Sequence, residues 1–408
     1  MFKATYPFVM STAACPYCYH RIDLAELRFQ CTGRPAPGRP RCAKTVDEAR
    51  ERLTGFSGAS WPTFPPPESK SPLPPRRAPC TLCGGPSGIR ACQVCRTPLP
   101  ANFADGRSPL IGMVGGKDAG KTVYTTVLAH ELRHNIRRRF TADIWFAGDQ
   151  QGGPGSVSDW LKDYEQSLFA KNTLPESTAG ARDGNKVPLV LQWRQPWRGL
   201  LGREVYRTTT LSFYDAAGED MTSQEFVNAQ AYLASADGLI VLLDPFKLPG
   251  SSDRIVVPDS SRRDAEPPLT VLSRITELLR TSHGIRGSRN IPIPIAVVFS
   301  KIDAFYTMLG NGHPLLRQPD TGPFYDEANG RDTDEYLRAL LTDLDADDLD
   351  VHLRLNYKKF RYFAVSSLGA EPDYDHKTVD RGGVRPFRVD EPLLWLLGLS
   401  KIIEKRGA

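Results

Sequence analysis

Residues 115–122, GGKDAGKT, have the spacing Gly-x-x-x-x-Gly-Lys-[Ser/Thr]. A loop of this kind turns successive backbone N–H groups toward phosphate oxygens, and the helix after it adds its positive N-terminal end. Lys121 would then reach the β and γ phosphates of a nucleotide and act in catalysis, and the Thr122 hydroxyl would be a Mg²⁺ ligand. The predicted phosphate-binding residues are Gly115, Gly116, Lys117, Asp118, Ala119, Gly120, Lys121, Thr122 and Val123.

A second candidate group lies in the stretch FYDAAGED, where Asp215 ends an apolar, strand-like run. A carboxylate at this place can hold a water molecule of Mg²⁺. Gly218 follows three residues later, and a glycine there allows its N–H to approach a γ phosphate. The stretch therefore predicts a metal-binding Asp215 and a catalytic Gly218.

Two further stretches could recognise a base. In VVFSKID, Asp303 can accept hydrogen bonds from N1 and N2 of guanine, which adenine does not offer, and the Lys301 stem can lie along the base. In FAVSSLG, Ser366 and Ser367 could present backbone N–H groups to guanine O6. Each stretch follows a predicted strand, and ligands of open α/β sheets bind at that edge. The predicted base-binding residues are Ser300, Lys301, Asp303, Ser366, Ser367 and Leu368.

All eight cysteines precede residue 96. The last four have the spacing Cys-x2-Cys-x8-Cys-x2-Cys, which is typical of a zinc ribbon, and the first four suit a looser second site in which His20 could replace one cysteine. We expect two structural Zn²⁺ ions, one held by Cys15, Cys18, Cys31 and Cys42 and one by Cys80, Cys83, Cys92 and Cys95. Disulfides or a redox pair are the alternatives.

The rest of the sequence predicts how these groups are positioned. From residue 109 onward, short Val- and Ile-rich runs alternate with amphipathic segments, which indicates an α/β fold with a mostly parallel sheet covered by helices. The runs VPLVLQW and EVYRTTTLSFYD predict a hairpin, and EPLLWLLGLSKII predicts a final helix. We expect zinc-binding modules at 1–50 and 79–105, a Pro-rich linker at 51–78, and a nucleotide-binding domain at 106–408.

Composition limits the other possibilities. The formal charge of +5 on 408 residues is too small by itself to indicate nucleic acid or a membrane surface. No apolar run is long enough to cross a bilayer, and the short apolar patch before Cys15 resembles a lipoprotein signal only faintly. We therefore expect a cytoplasmic protein.

The motifs in this order resemble the P-loop GTPases of the translation-factor-related class. GGKDAGKT, DAAGE, SKID and SSL correspond to the first, third, fourth and fifth signature motifs of that class. LPEST and VRPFRVDEPLLWLL resemble, more narrowly, the bacterial double-GTPase domains. The resemblance implies bound GTP or GDP, Mg²⁺ and hydrolysis of GTP.

The resemblance also implies a switch residue that binds Mg²⁺ in the triphosphate state. Thr178 is the candidate, with Ser177 as the alternative. Three residues depart from the class pattern: Ser300 replaces an Asn that ties two loops together, Glu219 replaces a water-orienting Gln, and Asp118 places an acid in the phosphate loop. In related cation-dependent GTPases an Asn at the position of Asp118 helps to hold K⁺. The serine is expected to weaken that tie, and the two acids bear on the rate of hydrolysis, in which Thr178 and Glu219 are predicted to act.

The sequence thus favours a GTP-hydrolysing switch whose zinc modules dock an unidentified protein effector. Two alternatives stay open: a nucleotide-loaded scaffold without turnover, and a GTPase whose zinc modules contact nucleic acid.

Overall fold

The computed structural model describes residues 12–68, 75–101, 103, 108–116, 118–146, 157–175, 189–198, 204–215, 231–259 and 266–407. The chain divides into two compact units. The first contains residues 1–110, 145–157 and 185–212, and the second contains residues 111–144, 158–184 and 213–408.

Sixteen strands are present in the described part of the chain. They are β1 (Thr12–Ala14), β2 (Arg21–Asp23), β3 (Arg28–Gln30), β4 (Thr63–Phe64), β5 (Ala78–Pro79), β6 (Pro86–Ser87), β7 (Arg90–Ala91), β8 (Leu110–Gly115), β9 (Asp143–Phe146), β10 (Leu189–Arg198), β11 (Glu204–Asp215), β12 (Gly238–Leu243), β13 (Ile295–Phe299), β14 (Phe324–Asp326), β15 (Phe360–Ala364) and β16 (Glu404–Arg406).

Nine α-helices have both ends among the described residues, and they range from about one to almost five turns. They are α1 (Glu48–Thr54), α2 (Lys121–Glu131), α3 (Arg137–Arg139), α4 (Val157–Glu165), α5 (Pro268–His283), α6 (Tyr306–Leu309), α7 (Glu327–Asp343), α8 (Asp347–Asn356) and α9 (Glu391–Leu399). Two π-helical segments, Leu132–Ile136 and Gln166–Ala170, continue α2 and α4. None of these helices combines the length and the apolar character that a membrane crossing requires.

The second unit holds the parallel part of the large sheet. Its strands lie in the order β15-β13-β12-β8, and each neighbouring pair is parallel. Every residue of β8, β12 and β13 is buried, as expected for strands covered on both faces. The mixed α/β fold with a mostly parallel sheet, predicted from the alternating pattern, is confirmed.

Close approach of two strands explains a glycine in β8. A Cβ on Gly115 would lie 2.6 Å from the carbonyl oxygen of Leu242 in β12, so a larger residue would push the strands apart. Helix α5 shows the predicted amphipathic pattern. Its buried residues include Val271, Leu272 and Ile275, and Gly284 ends it with a φ of 61°.

Strands β10 and β11 are hydrogen-bonded neighbours, and β9 lies on the other side of β10. The predicted pairing of these two runs is therefore present. The predicted final helix is shorter than expected, because α9 ends at Leu399 and β16 pairs in parallel with β14. Lys401 between them has a φ of 56°, which is incompatible with continuing the helix.

The region predicted to be a Pro-rich linker contains secondary structure in its described part. Asp47 caps α1 by accepting hydrogen bonds from the N–H groups of Ala49 and Arg50. Strand β4 pairs with β3, which also pairs with β7. Few apolar residues and many prolines made this stretch resemble a linker, but long-range strand pairing orders it.

Candidate functional site

The phosphate loop joins β8 to α2. Strand β8 ends at Gly115 and α2 begins at Lys121, whose Nζ donates to the carbonyl oxygens of Gly115 at 3.0 Å and Gly116 at 2.7 Å. Thr122 and Val123 lie in the first turn of the helix. The sequence therefore places a cation and a hydroxyl at the N-terminal end of α2, where an anion is stabilised.

Two residues of this loop have positive φ angles. Gly120 has a φ of 79° and the exposed Asp118 a φ of 61°. Asp and Asn tolerate this region better than most residues, and glycine adopts it freely. Asp118 thus fits the loop conformation, while its carboxylate remains open to solvent.

The Ser300 hydroxyl connects the base-reading stretch to the phosphate loop. Its Oγ donates to the carbonyl oxygen of Ala119 at 2.8 Å, with the Leu243 carbonyl oxygen also within 3.2 Å. The sequence led us to expect that serine in place of Asn would weaken this tie. The shorter side chain still reaches Ala119, so the two loops are tied, and the weaker tie relative to Asn stays a prediction.

Asp303 is a buried carboxylate beside this connection, with 9% of its surface exposed. Burial raises the pKa of the Asp303 carboxyl, and the nearby Ser366 hydroxyl and the charge of Lys301 offset part of that rise. Additional hydrogen-bond donors would stabilise a buried carboxylate of this kind. N1 and N2 of guanine are such donors.

The fifth motif differs in detail from the prediction. The N–H of Ser366 donates to the carbonyl oxygen of Phe387 at 3.0 Å, and the carbonyl oxygen of Leu368 accepts from Arg385 at 2.9 Å. The N–H of Ser366 is therefore engaged within the protein and is not offered to a base, and its hydroxyl oxygen accepts from the N–H of Gly369 at 2.7 Å. The sequence could not show this, because the pairing joins residues about twenty positions apart.

Asp244, which follows β12, was not among the residues predicted from the sequence. Its Oδ2 accepts from Nζ of Lys301 at 2.8 Å, and its Oδ1 accepts from the N–H of Phe246. The Lys301 ammonium also lies 5.1 Å from the centre of the Phe246 ring. The available signal was an acid at a strand's C-terminal end, the same signal that identified Asp215.

Several predicted residues fall outside the described part of the chain. They are Lys117, Thr178 with its alternative Ser177, Gly218 and Glu219. Asp215 is the last residue of β11, as expected, but its side chain is not among the described ones.

The eight cysteines form two groups of four, but not the predicted groups. One group is Cys15, Cys18, Cys92 and Cys95, and the other is Cys31, Cys42, Cys80 and Cys83. The pairing of β3 with β7 is the physical reason, since it returns the last Cys-x-x-Cys to the first one. The inner group is enclosed in sequence by the outer group, and His20 belongs to neither.

The sulfur positions suit a metal better than disulfides. The distances are 3.8 Å for Cys15–Cys95, 3.9 Å for Cys18–Cys92, 3.6 Å for Cys31–Cys83 and 3.9 Å for Cys42–Cys80. A tetrahedron of Zn–S bonds of about 2.3 Å separates its sulfurs by roughly 3.8 Å, whereas a disulfide requires about 2.05 Å.

Backbone N–H groups are directed at cysteine sulfurs in both groups, while burial raises the pKa of Cys15 and Cys31. The N–H of Gly85 lowers the pKa of Cys83 to about 7. The N–H of Gly33 donates to Sγ of Cys31 at 3.2 Å, and that of Val94 donates to Sγ of Cys92 at 3.3 Å. Each group could hold a divalent metal ion, because thiolates are the metal-binding form of cysteine.

A glycine-rich loop at the carboxyl end of a parallel strand, tied through Ser300 to a segment with a buried carboxylate, is the arrangement of P-loop GTP-binding proteins. The chain belongs to the Double-GTPase 2 family, whose model matches residues 109–352. The narrower resemblance noted in the sequence is thereby confirmed.

Comparison with individual proteins extends this result. The chain is 26% identical over 411 residues to SaeC of Mycolicibacterium smegmatis, a protein named for a proposed role in ESX-1 scaffolding and assembly. The match covers 94% of this chain and 97% of SaeC.

Similar solved structures include two that contain GTP. The signal recognition particle receptor SRb-GTP/SRX complex of Chaetomium thermophilum has 12% identity and a TM-score of 0.28, covering 65% of this chain and 93% of that chain. The GTP-bound Ski7 GTPase-like domain of S. cerevisiae has 13% identity and a TM-score of 0.33. The match covers 72% of this chain and 50% of that chain.

Proposed function

We propose that this protein is a Mg²⁺-dependent GTPase that hydrolyses GTP to GDP and phosphate and acts as a regulatory switch in the cytoplasm. The observation that carries the proposal is the buried Asp303 carboxylate, joined through the Ser300 segment to the phosphate loop. Its position gives the site a reason to select guanine, and family membership supports the same conclusion.

The reaction needs little covalent chemistry from the protein. A water oxygen bonds to the γ phosphorus while the bond from that phosphorus to the β–γ bridging oxygen breaks, and the proton of the water leaves with the products. Lys121 stabilises charge on the β and γ phosphates, and the N–H of Gly218 does the same at the γ phosphate. Mg²⁺, when bound, neutralises phosphate charge, and Thr122, Thr178 and Asp215 are its proposed ligands.

The remaining proposed roles follow from the switch segments. Thr178 would bind only in the triphosphate state, and Glu219 would lie near the attacking water. These contacts would order their segments with GTP and release them after hydrolysis. A protein effector would then distinguish the two states.

The two cysteine groups are proposed to hold structural Zn²⁺ and to form the docking module for that effector. Their support is the spacing of the sulfurs and the N–H groups directed at Cys31, Cys83 and Cys92. Four thiolates complete the coordination of each ion, so a structural role is favoured over a catalytic one.

Phosphate release under multiple turnover, with excess GTP and Mg²⁺, tests the proposal. We expect Lys121→Ala to lower the rate by about 10² to 10³ if its ammonium stabilises the transition state. Lys358→Ala, which changes an exposed lysine, is the matched control and should leave the rate unchanged. Hydrolysis that requires no Mg²⁺, or that is equal in the Lys121→Ala variant, would contradict the assignment.

A second candidate function is a nucleotide-loaded scaffold that does not turn over. The similarity to SaeC, with its name for scaffolding and assembly, favours this alternative. The same assay separates the two, because a scaffold would bind GTP tightly and release less than one phosphate per protein.

A further inference from the structure

The positive charge of the chain is concentrated around the cysteines. Residues 12–101 contain thirteen Lys and Arg and six Asp and Glu, a formal charge of +7, whereas the whole chain carries +5. No Asp or Glu occurs between Glu26 and Asp47, or between Glu68 and Asp105. The small total charge therefore conceals a strongly basic module.

Six exposed cations in these acid-free stretches surround the inner cysteine group. We call them the inner basic surface: Arg34, Arg39, Arg41, Lys44, Arg76 and Arg77. Two sequence segments supply them, and the cysteine group joins those segments through Cys31–Cys83 and Cys42–Cys80.

Backbone contacts hold the two segments together. The N–H of Ala36 donates to the carbonyl oxygen of Cys83 at 2.9 Å. A Cβ on Gly84 would lie 3.2 Å from Cδ of Arg39, and one on Gly88 would lie 3.5 Å from Cγ of Arg77. Cations from both segments thus lie against one small hairpin, β5–β6, which surrounds Cys80 and Cys83.

Like charges are held close together at Trp61. The guanidinium carbon of Arg41 lies 5.1 Å from the centre of the Trp61 ring, and Nζ of Lys44 lies 5.4 Å from it. The aromatic ring compensates part of the repulsion between these cations. None of the six cations forms an ion pair with a carboxylate in the part of the chain that the structure describes.

The thiolates do not balance this charge. A four-thiolate site holding a divalent ion carries about two negative charges, so an excess of roughly four positive charges remains. Such an excess at an exposed surface attracts a polyanion. Five of the six cations are arginines, whose planar guanidinium groups pair with phosphate oxygens in a bidentate manner.

We infer that the inner basic surface is a binding site for the phosphate backbone of a nucleic acid. Contacts of this kind do not depend on base sequence. The inference goes beyond the GTPase reaction and does not depend on it.

Fluorescence anisotropy with labelled short duplex DNA and single-stranded RNA, using the full-length, metal-loaded protein, tests this inference. If six phosphates are contacted, affinity for duplex should fall by about 10³ between roughly 50 and 200 mM salt. The triple variant Arg34→Ala/Arg39→Ala/Arg41→Ala should reduce the slope of log K against log salt by about 0.9 per residue.

The matched control removes three exposed cations from the second unit, Arg317→Ala/Lys358→Ala/Lys359→Ala, and should leave the slope unchanged. Arg76→Ala/Arg77→Ala tests the other segment, and metal content shows that each variant retains its cysteine groups. The inference would be overturned if the protein did not bind nucleic acid at low salt, or if the control variant lost as much of the salt dependence as the triple variant. Equal binding of polyglutamate would also overturn it, in favour of an acidic protein partner.

Discussion

At the scale of single residues, Asp303 must be ionised in order to accept hydrogen bonds from guanine. Burial raises the pKa of its carboxyl above the ordinary value of 3.8. GTP affinity should therefore be complete above the raised pKa and should fall as the pH drops through it, beginning at a higher pH than for an exposed Asp. Titration of GTP affinity from neutral pH downward measures this, and Asp303→Asn should remove the dependence. Affinity that stays constant down to the ordinary pKa would exclude this role.

The carboxylate of Asp118 is expected to affect the rate of GTP hydrolysis. A carboxylate near the phosphates repels them unless a cation intervenes, so hydrolysis should be slow in Na⁺ buffer and faster with K⁺ or a partner's Arg. A positive charge of this kind can contribute about 10³ to 10⁵ in rate. Single-turnover assays in matched Na⁺ and K⁺ buffers measure the effect.

The positive φ of Asp118 determines the control for that assay. Asp118→Asn is suitable because Asn tolerates a φ of 61°, whereas Ala at this position would add backbone strain. Fast hydrolysis without K⁺ or a partner, unchanged in Asp118→Asn, would show that the acid does not limit the rate.

The residue types in the motifs predicted which side chains lie at the site better than they predicted the hydrogen bonds between them. The motifs indicated Lys121, which the structure places after β8, and Ser300 and Asp303, which it places after β13. They indicated that Ser300 ties two loops together, but not that Ala119 is its partner, and they did not indicate the engagement of the Ser366 N–H by Phe387. Such bonds depend on how distant loops meet, which a local pattern does not encode.

At the scale of secondary structure elements, the loop after β12 fixes the loop after β13 through the ion pair of Asp244 and Lys301. The Asp244 side chain is only 2% exposed, and its carboxylate pairs with the Lys301 ammonium. A neutral side chain at this position would remove that ion pair. We expect Asp244→Asn to weaken GTP binding about tenfold, the scale of one charged hydrogen bond, with a smaller effect on kcat.

A double-mutant cycle with Lys301→Met checks this positioning role. The double variant should lose less GTP-binding free energy than the sum of the losses in the two single variants, because each substitution breaks the same interaction. Asp332→Asn, at an exposed helical position, is the matched control. Additive effects would show that Asp244 and Lys301 act independently.

Elements were predictable where the burial pattern is local. The fully apolar runs of β12 and β13 identified central parallel strands, and the spacing of apolar residues identified α5. Short strands such as β3, β4 and β16 were missed because two or three residues carry almost no periodicity. Their pairing decides which cysteines meet, so the metal groups could be counted but not assigned from the sequence.

At the scale of the whole molecule, the nested cysteine groups should behave as one metal-dependent module. We expect about two zinc ions per chain, and removal of zinc by a chelator should loosen both groups together. The reason is that β3 leads into the inner group and pairs with β7, which leads into the outer group. Two zinc modules joined only by the linker predicted at 51–78 would instead loosen independently.

Elemental analysis gives the zinc content, and amide hydrogen exchange with and without chelator measures the loosening. Cys31→Ser and Cys15→Ser each remove one ligand from a different group and should both increase exchange in β3 and β7. Absence of zinc together with disulfides in the mass spectrum would refute the metal assignment. Exchange confined to the mutated group would refute the coupling.

The decisive test of guanine recognition by Asp303 is whether the protein selects GTP over ATP. Competition of GTP and ATP against a fluorescent GDP analogue gives both affinities with the same protein preparation. Because adenine would leave the buried Asp303 carboxylate without donors, we predict that GTP binds more tightly by roughly 10⁴ or more, and that Asp303→Asn erodes this preference. Equal affinities for GTP and ATP in the native protein would contradict guanine recognition and leave a generic P-loop nucleotidase.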